Sequence, residues 1–293
     1  MERTISPKEM ADAIGVSESS VKRWVDCGRI EAVRTAGGHR RIPVPSVARF
    51  VRETRASLVK PELVGLHDLL AIPSHTKEWE NESTDLFRFL ESGQAAEARG
   101  LILSAYLSGR SLASIVDGPI RSAMARLGEL WKHGAEGILI EHRATDICIQ
   151  ALDQIRLLIS IGKDSPRAVG GAPSGDPYLL PSMATAAVLG SEGYQAVNLG
   201  PDTPVDILRT AARSMRPRIV WLSASAIEKP RELAAEVASL LGTLAELGAV
   251  LALGGTAREK LALDPHPALF IGSSMGELAG YARGRIASGP PAE

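Results

Sequence analysis

The sequence predicts a chain of mixed class, α-helical in its first half and α/β in its second, and three patterns predict it. Residues 6–55 alternate short capped helices with a glycine-tipped pair of strands. Residues 84–162 carry apolar side chains at helical spacing with no strand pattern between them. Past Pro166, short apolar runs alternate with helical stretches. Apolar spacing of 3.6 residues marks amphipathic helices, and a strand–helix alternation marks a parallel sheet covered on both faces.

The stretch Ser17–Arg41 carries the densest signal. Ser17 is a good helix N-cap, and the helix behind it runs to near Asp26 and Gly28. Val21, Trp24 and Val25 fall at i, i+3, i+4 as one apolar stripe, while Ser19, Ser20, Lys22 and Arg23 take the opposite face. A helix with one side for a core and a small, cationic side outward is laid out to enter a DNA groove. Ile30 to Thr35 alternates as a strand, Gly37-Gly38 supplies a tight turn, and His39, Arg40 and Arg41 stand on the returning strand. A cation-tipped hairpin beside such a helix is a wing. Upstream, Ser6-Pro7-Lys8-Glu9 has capping-box spacing with proline at the first helical position, Met10, Ala13 and Ile14 share a face, and Gly15 ends the helix. Pro43 to about Arg55 is a closing helix with Val47, Phe50 and Val51 inward.

In its GVSESSVKRW and GGHRRI segments the chain resembles the winged helix-turn-helix of the MerR family and of excisionases, over about the first 55 residues. The expected partner is double-stranded operator DNA, met by Ser19, Ser20, Lys22, Arg23, His39, Arg40 and Arg41 from a dimer or tetramer. The alternative is a small helical domain with a solvated basic face. Charge favours DNA: residues 1–60 hold 12 Lys and Arg against 7 Asp and Glu, and the remainder holds 21 against 27. Phosphate contacts of this kind make binding strongly salt-dependent.

A length of 293 residues fits two domains or three small ones, and 45% hydrophobic residues can fill their cores. Cys27 and Cys148 are too few for a disulfide framework and suit a reducing compartment. No run approaches the roughly 18 apolar residues of a membrane span. The chain opens on a capped helix rather than a signal peptide. The expectation is a cytoplasmic protein with no membrane partner.

The expected domains are 1–56 for DNA binding, 57–83 as a linker, 84–163 as a four-helix bundle and 164–293 as a Rossmann-like domain. The linker reading rests on Pro61, Pro73, His67, His75 and the charged WENES segment. In the bundle, Leu86, Phe89 and Leu90 begin one helix, and Leu101, Leu103, Ala105 and Leu107 lie in the next. Ile115, Ile120, Met124, Leu127 and Leu130 serve a third, and Ile138, Ile140, Ala144, Ile147 and Ile155 a fourth. Short connections between such helices imply an antiparallel bundle. The last domain has strands at 168–169, 196–199, 219–222, 250–253 and 269–271, and helices near 182–192, 204–215, 230–247, 257–263 and 275–287. That is a flavodoxin-type parallel sheet of five strands, whose ligands bind at the carboxyl ends of the strands. Those ends are Gly170-Gly171, Gly200 to Pro204, Ser223-Ala224-Ser225 and Gly254-Gly255. Small residues there admit a ligand close to the backbone, and glycines at such turns also serve purely geometric ends.

Helix-turn-helix, bundle and Rossmann-like domain follow in the order of the cobalamin repressors of the CarH/CarA type, and individual residues resemble them too. Trp131, nine residues, then Glu141-His142 is similar to their bundle signature. Asp176 to Pro181, 41 residues, Ser223-Ala224-Ser225, 28 residues and Gly254-Gly255 are similar to their corrinoid-domain skeleton. The resemblance implies adenosylcobalamin held by Trp131, Glu141 and His142 above and by Asp176, Tyr178, Asp202, Thr203, Ser223, Ser225, Gly254 and Gly255 below. It also implies a sensor that controls self-assembly, and hence repression. For Trp131, Glu141 and His142 a structural role in the bundle is the alternative; Cys148 reads as a packed thiol.

The departures bear most on function. The family's cobalt-ligating His is Tyr178 here, its following Gly is Pro181, and Pro177 stands beside them. A phenol with a pKa of about 10 must lose a proton before it can ligate, which neutral imidazole need not do. Tyr178 therefore reads as either a loop tyrosine or a poor ligand, and Asp176 is left without an imidazole to orient. Lys132 replaces the second imidazole of light-responsive members, with His133 about 100° away on a continuing helix, and the Ser-x-Leu site ends in Ser225. Cobalamin binding is expected to be weakened, altered or lost. Three readings follow. The first is a regulator with a cobalamin-type sensor and without His-ligated photochemistry. The second is a regulator answering to another small molecule, temperature or a partner protein. The third, of a different class, is a corrinoid carrier of a methyltransferase. The winged head and the missing imidazole weigh against the carrier, so no enzyme is expected.

Overall fold

The computed structural model describes residues 3–72, 79–129 and 134–287. The chain forms two compact units, Met1–Ser111 with Gly118–Ser160, and Leu112–Asp117 with Ile161–Glu293.

The first unit opens with β1 (Thr4–Ile5), α1 (Pro7–Ile14), α2 (Glu18–Asp26), β2 (Val33–Arg34), β3 (Arg40–Pro43) and α3 (Val44–Thr54). The capping box forms: Glu9 N donates to Ser6 Oγ at 3.2 Å, and Ser6 N donates to a Glu9 carboxylate oxygen at 2.6 Å. Gly15 closes α1 at a φ of 71°, where a Cβ would be strained. Met10, Ile14, Val21, Ile30, Ile42, Val47 and Phe50 form the buried centre. The sheet has the order β1-β3-β2, with antiparallel pairing that sets Arg34 opposite Arg40 and Val33 opposite Arg41.

Sequence reading overextends the hairpin. Only Val33–Arg34 pairs, because Arg29 and Ile30 donate their N–H groups back to Trp24 and Ile30 drops into the core. Of the two turn glycines only Gly38 takes positive φ, and His39 precedes the returning strand.

The described part of 57–83 is no open linker. Two 3₁₀ turns, Pro61–Val64 and His67–Ala71, fold there, with Val64 and Leu66 buried. Val59 and Lys60 donate to the Ala13 carbonyl, and Asp68 takes Nε and Nη2 of Arg99 at 2.9 Å each and Gln154 at 3.0 Å. Pro61 acts as a turn starter rather than a breaker. Pro73 and His75 lie outside the described residues.

The helices α4 (Trp79–Ser92), α5 (Ala95–Leu107), α7 (Arg121–Glu129) and α8 (Ala135–Arg156) follow. Leu86, Leu90, Leu101, Leu103, Leu127, Ala144, Ile147 and Ile155 are buried, as their spacing predicts. Arg52 of α3 lies 3.7 Å over the Tyr106 ring and donates to the carbonyls of Tyr106 and Arg110. The third bundle helix is not continuous. Its first turn, α6 (Leu112–Ile115), belongs to the second unit, and a π-helical turn at Val116–Ile120 holds Pro119, which has no N–H for a regular ladder.

The second unit is a parallel sheet of β4 (Arg167–Gly171), β5 (Gln195–Asn198), β6 (Ile219–Ser223), β7 (Val250–Gly254) and β8 (Leu269–Ile271), in the order β5-β4-β6-β7-β8. One face buries Leu208 of α10 (Val205–Met215) and Leu240 and Leu244 of α11 (Pro230–Glu246) against Val169, Val220 and Leu251. The other buries Leu189 of α9 (Leu179–Ser191) and Leu278 of α12 (Met275–Ala287) against Trp221 and Tyr194. The helix expected at 257–263 is a single 3₁₀ turn, Arg258–Leu261. The α6 segment packs on α9 and α12, and Asp117 accepts from Met275 N at 2.9 Å and Gly276 N at 2.8 Å. A carboxylate at a helix N-terminus satisfies unpaired amides and opposes the helix dipole.

Candidate functional sites

The outer face of α2 and the β2–β3 hairpin form the candidate nucleic-acid interface. Ser17 caps the helix by accepting from Ser20 N at 3.2 Å, and its hydroxyl lies 2.9 Å from those of Ser19 and Ser20. Ser19, Lys22, Arg23 and His39 are exposed. Their charges are not equally free. Lys22 pairs with Glu18 at 2.9 Å, Arg40 with Asp26 at 2.7 Å and Arg41 with Glu9 at 3.7 Å. Among the described residues no carboxylate pairs with Arg23. Sequence reading missed Arg34, which is exposed on β2 directly across from Arg40. The signal was its place one strand back from the two arginines of the wing. Arg29, also cationic, lies over Trp24 and Phe50 instead, 5.8 Å and 5.5 Å from their ring centroids.

The carboxyl ends of β4, β5 and β6 form the candidate ligand face of the second unit. Asp176 is fully buried there. Its carboxylate accepts from Tyr178 N at 3.0 Å, Ser225 N at 2.6 Å and Ala226 N at 2.9 Å. Asp202, at a φ of 50°, accepts from Gly175 N at 2.8 Å. Thr203 is buried, donates its N–H to Ala172 O and its hydroxyl to Gly200 O, and Ser223 is buried at the end of β6. Tyr178 occupies the N-cap position of α9 and is 44% exposed.

Several small residues expected to admit a ligand admit the protein itself. A Cβ at Gly170 would stand 2.3 Å from Trp221, one at Gly171 2.7 Å from Gly200 O, and one at Gly255 2.2 Å from Ala224 O. Gly254 is open apart from one carbonyl at 3.9 Å. Beneath this face, Trp221 donates its indole N–H to Ser182 at 3.0 Å, and Ser182 donates to Asn198 at 2.7 Å.

In the first unit, Glu141 and His142 stand in the second turn of α8. Glu141 accepts from the Thr145 hydroxyl at 2.9 Å, and His142 is 3.8 Å from the Glu141 carboxylate with its side chain 67% exposed. Cys148, two turns on, is completely buried, which pushes its thiol pKa up to about 12 and leaves it protonated and inert. Trp131, Lys132 and His133 lie outside the described residues. The cobalamin implied by the resemblance meets a poor fit on the sheet side: Asp176 is committed to three amides and residue 178 offers an exposed phenol. These residues do not fit a cobalt held from below by a protein imidazole.

Residues 4–55 match the helix-turn-helix domain family and residues 83–156 the B12 binding domain family. A helix-turn-helix match, a B12-type helical match and a five-stranded parallel sheet thus follow one another along this chain. In particular, it is similar to the HTH-type transcriptional repressor CarA of Myxococcus xanthus, with 25% identity over 276 residues, 88% of this chain and 89% of the relative. The monomethylamine corrinoid protein of Methanosarcina barkeri shares the fold, at a TM-score of 0.51 and 17% identity, over 70% of this chain and 98% of that one. Among the described residues no helix is long and apolar enough to cross a membrane.

Proposed function

We propose that this chain is a DNA-binding transcription regulator, and that its bundle and parallel sheet form a corrinoid-type sensor that sets self-association and, through it, operator affinity. The observation that carries the reading is a helix-turn-helix with an exposed cationic α2 face and an arginine-bearing hairpin, joined in one chain to a B12-type domain. Ser19, Ser20, Lys22, Arg23, His39, Arg40 and Arg41 meet the duplex, mostly through phosphates. The cytoplasm is its place of action.

For the ligand, the proposal is a corrinoid; Glu141, His142 and Trp131 in the first unit, and Asp202, Thr203, Ser223, Ser225, Gly254 and Gly255 at the strand ends of the second, are the residues that would hold it. A regulator that answers to a different small molecule or to a partner protein is the second reading, favoured by the commitment of Asp176. A methyl carrier is disfavoured by the same site.

One experiment tests both levels. The purified full chain is titrated with DNA from upstream of its own gene at several salt concentrations, with and without adenosylcobalamin in the dark, while its absorption spectrum is recorded. Salt-sensitive binding with a cobalamin-dependent change in affinity and mass supports the first reading. Salt-sensitive binding with no retained corrinoid selects the second, and no DNA binding overturns both.

A further inference from the structure

Asp176 sits where three loops meet. A carboxylate removed from water is costly unless its oxygens are hydrogen-bonded, and hydrogen bonds to an ionised acceptor are the strong ones. Here Oδ1 accepts from Tyr178 N, two residues on, which is the geometry of an Asx turn. Pro177, between them, has no N–H to compete and fixes its own φ. Oδ2 accepts from Ser225 N and Ala226 N, 49 and 50 residues away in the loop after β6. The Asp176 carbonyl accepts from Asp202 N at 3.1 Å in the loop after β5, and Asp202 returns a bond by accepting from Gly175 N. One buried residue thus ties the ends of β4, β5 and β6 together.

We infer that Asp176 is a positioning residue that staples these three loops into one arrangement before any ligand arrives, so the second unit offers a preformed face. The staple stands on geometry alone; that the stapled face receives a ligand rests on the reading under Proposed function. A ligand meeting this face does not have to order it. The signal sent on binding therefore comes from elsewhere than loop ordering at these strand ends.

Hydrogen exchange on the ligand-free full chain, read amide by amide, tests the inference. The amides of Tyr178, Ser225 and Ala226 should be protected in the native protein, and hydroxocobalamin, used as the probe, should leave that protection unchanged. Asp176→Asn puts an NH₂ where one set of donors points, and should speed exchange ~10- to 100-fold in the loops after both β4 and β6 while Ile219–Ser223 stay protected. Asp202→Gly, which tolerates the left-handed φ, should release Gly175 but leave Ser225 and Ala226 slow. Unprotected amides in the native protein, or an effect of Asp176→Asn confined to one loop, overturns the staple. If Asp176→Asn does not fold, native protection and Asp202→Gly still decide. Failure of DNA or cobalamin binding with protection intact would remove the functional reading and leave the staple standing.

Discussion

Gly170 and Trp221 face each other across β4 and β6, and the indole fills the space that a side chain at 170 would need. The pair is one packed object. Gly170→Ala should cost ~3 kcal/mol by overpacking, since the clash involves backbone as well as ring. Trp221→Leu alone should cost a similar amount, about 3 kcal/mol, through lost volume and the lost bond to Ser182. The double variant should cost less than the sum, because the smaller side chain relieves the ring's share of the clash while the contact with the Trp221 carbonyl remains. Urea unfolding of the full chain, followed by near-ultraviolet circular dichroism, measures all three. Simple additivity would show that the two residues do not share this space.

The arginines of the DNA face predict two opposite effects. Arg23→Ala removes an exposed cation and should lower the salt slope of DNA binding by about one unit. Asp26→Asn removes the carboxylate that holds Arg40, so it should strengthen binding ~2- to 5-fold at low salt and lose its effect at high salt. Fluorescence anisotropy with labelled duplex reads both. A slope unchanged by Arg23→Ala would take α2 out of the groove.

What the sequence makes legible is local or periodic. Ser6, Glu9 and Gly15 announce α1 because a cap is decided within four residues. The central strands β4, β6 and β7 announce themselves because buried parallel strands are runs of apolar residues, and the half-exposed edge strands β5 and β8 still carry short apolar runs between helical stretches. Pairings across long separations stay hidden. Nothing at Asp117 points to Met275, 158 residues away, and the resemblance that sets Asp176 and Ser225 in one skeleton does not say that they bond to each other. The turns at Pro61–Val64 and His67–Ala71 escape because 3₁₀ pieces are too short to show a period. Gly170 and Gly255 are visible as small residues, but the sequence does not tell whether a ligand or Trp221 and Ala224 fill the space.

Asp68 sets an acid limit in the first unit. Hydrogen bonds from Arg99, above all, hold its carboxyl below the ordinary 3.8. A depressed folded value means that this contribution is complete above the unfolded value and is lost as pH falls through the folded one. Glu82, whose carboxyl burial pushes up, acts in the opposite sense, so the variant must be compared with the native chain. Asp68→Asn should cost about 1.5–3 kcal/mol at neutral pH, with the gap to the native chain closing below pH ~4. A constant gap down to pH 2 would show that the charge of Asp68 is not what matters.

Light gives a fourth test. The resemblance read from the sequence implies that Tyr178 and Lys132 replace two imidazoles, and an ordinary lysine, with a pKa of about 10.4, is rarely neutral. A dark mixture with adenosylcobalamin, illuminated on a sizing column, should keep its mass. A clean light-driven fall from tetramer to monomer, abolished by Trp131→Ala, would prove this wrong.

The placement of Leu112–Asp117 in the second unit means that the chain crosses between its units three times, after 111, after 117 and after 160. The halves are therefore not cassettes. A recombination joint near 163 would look clean in the gene, yet it would strand six residues on the wrong side. The inherited sheet would lack the carboxylate at the start of α12, and the strip now covered by Leu112, Ala113, Ile115 and Val116 would lie open. A descendant that swaps its sensor must bring a matching insert for the middle of someone else's bundle helix, so these two units can be expected to travel through evolution as a pair.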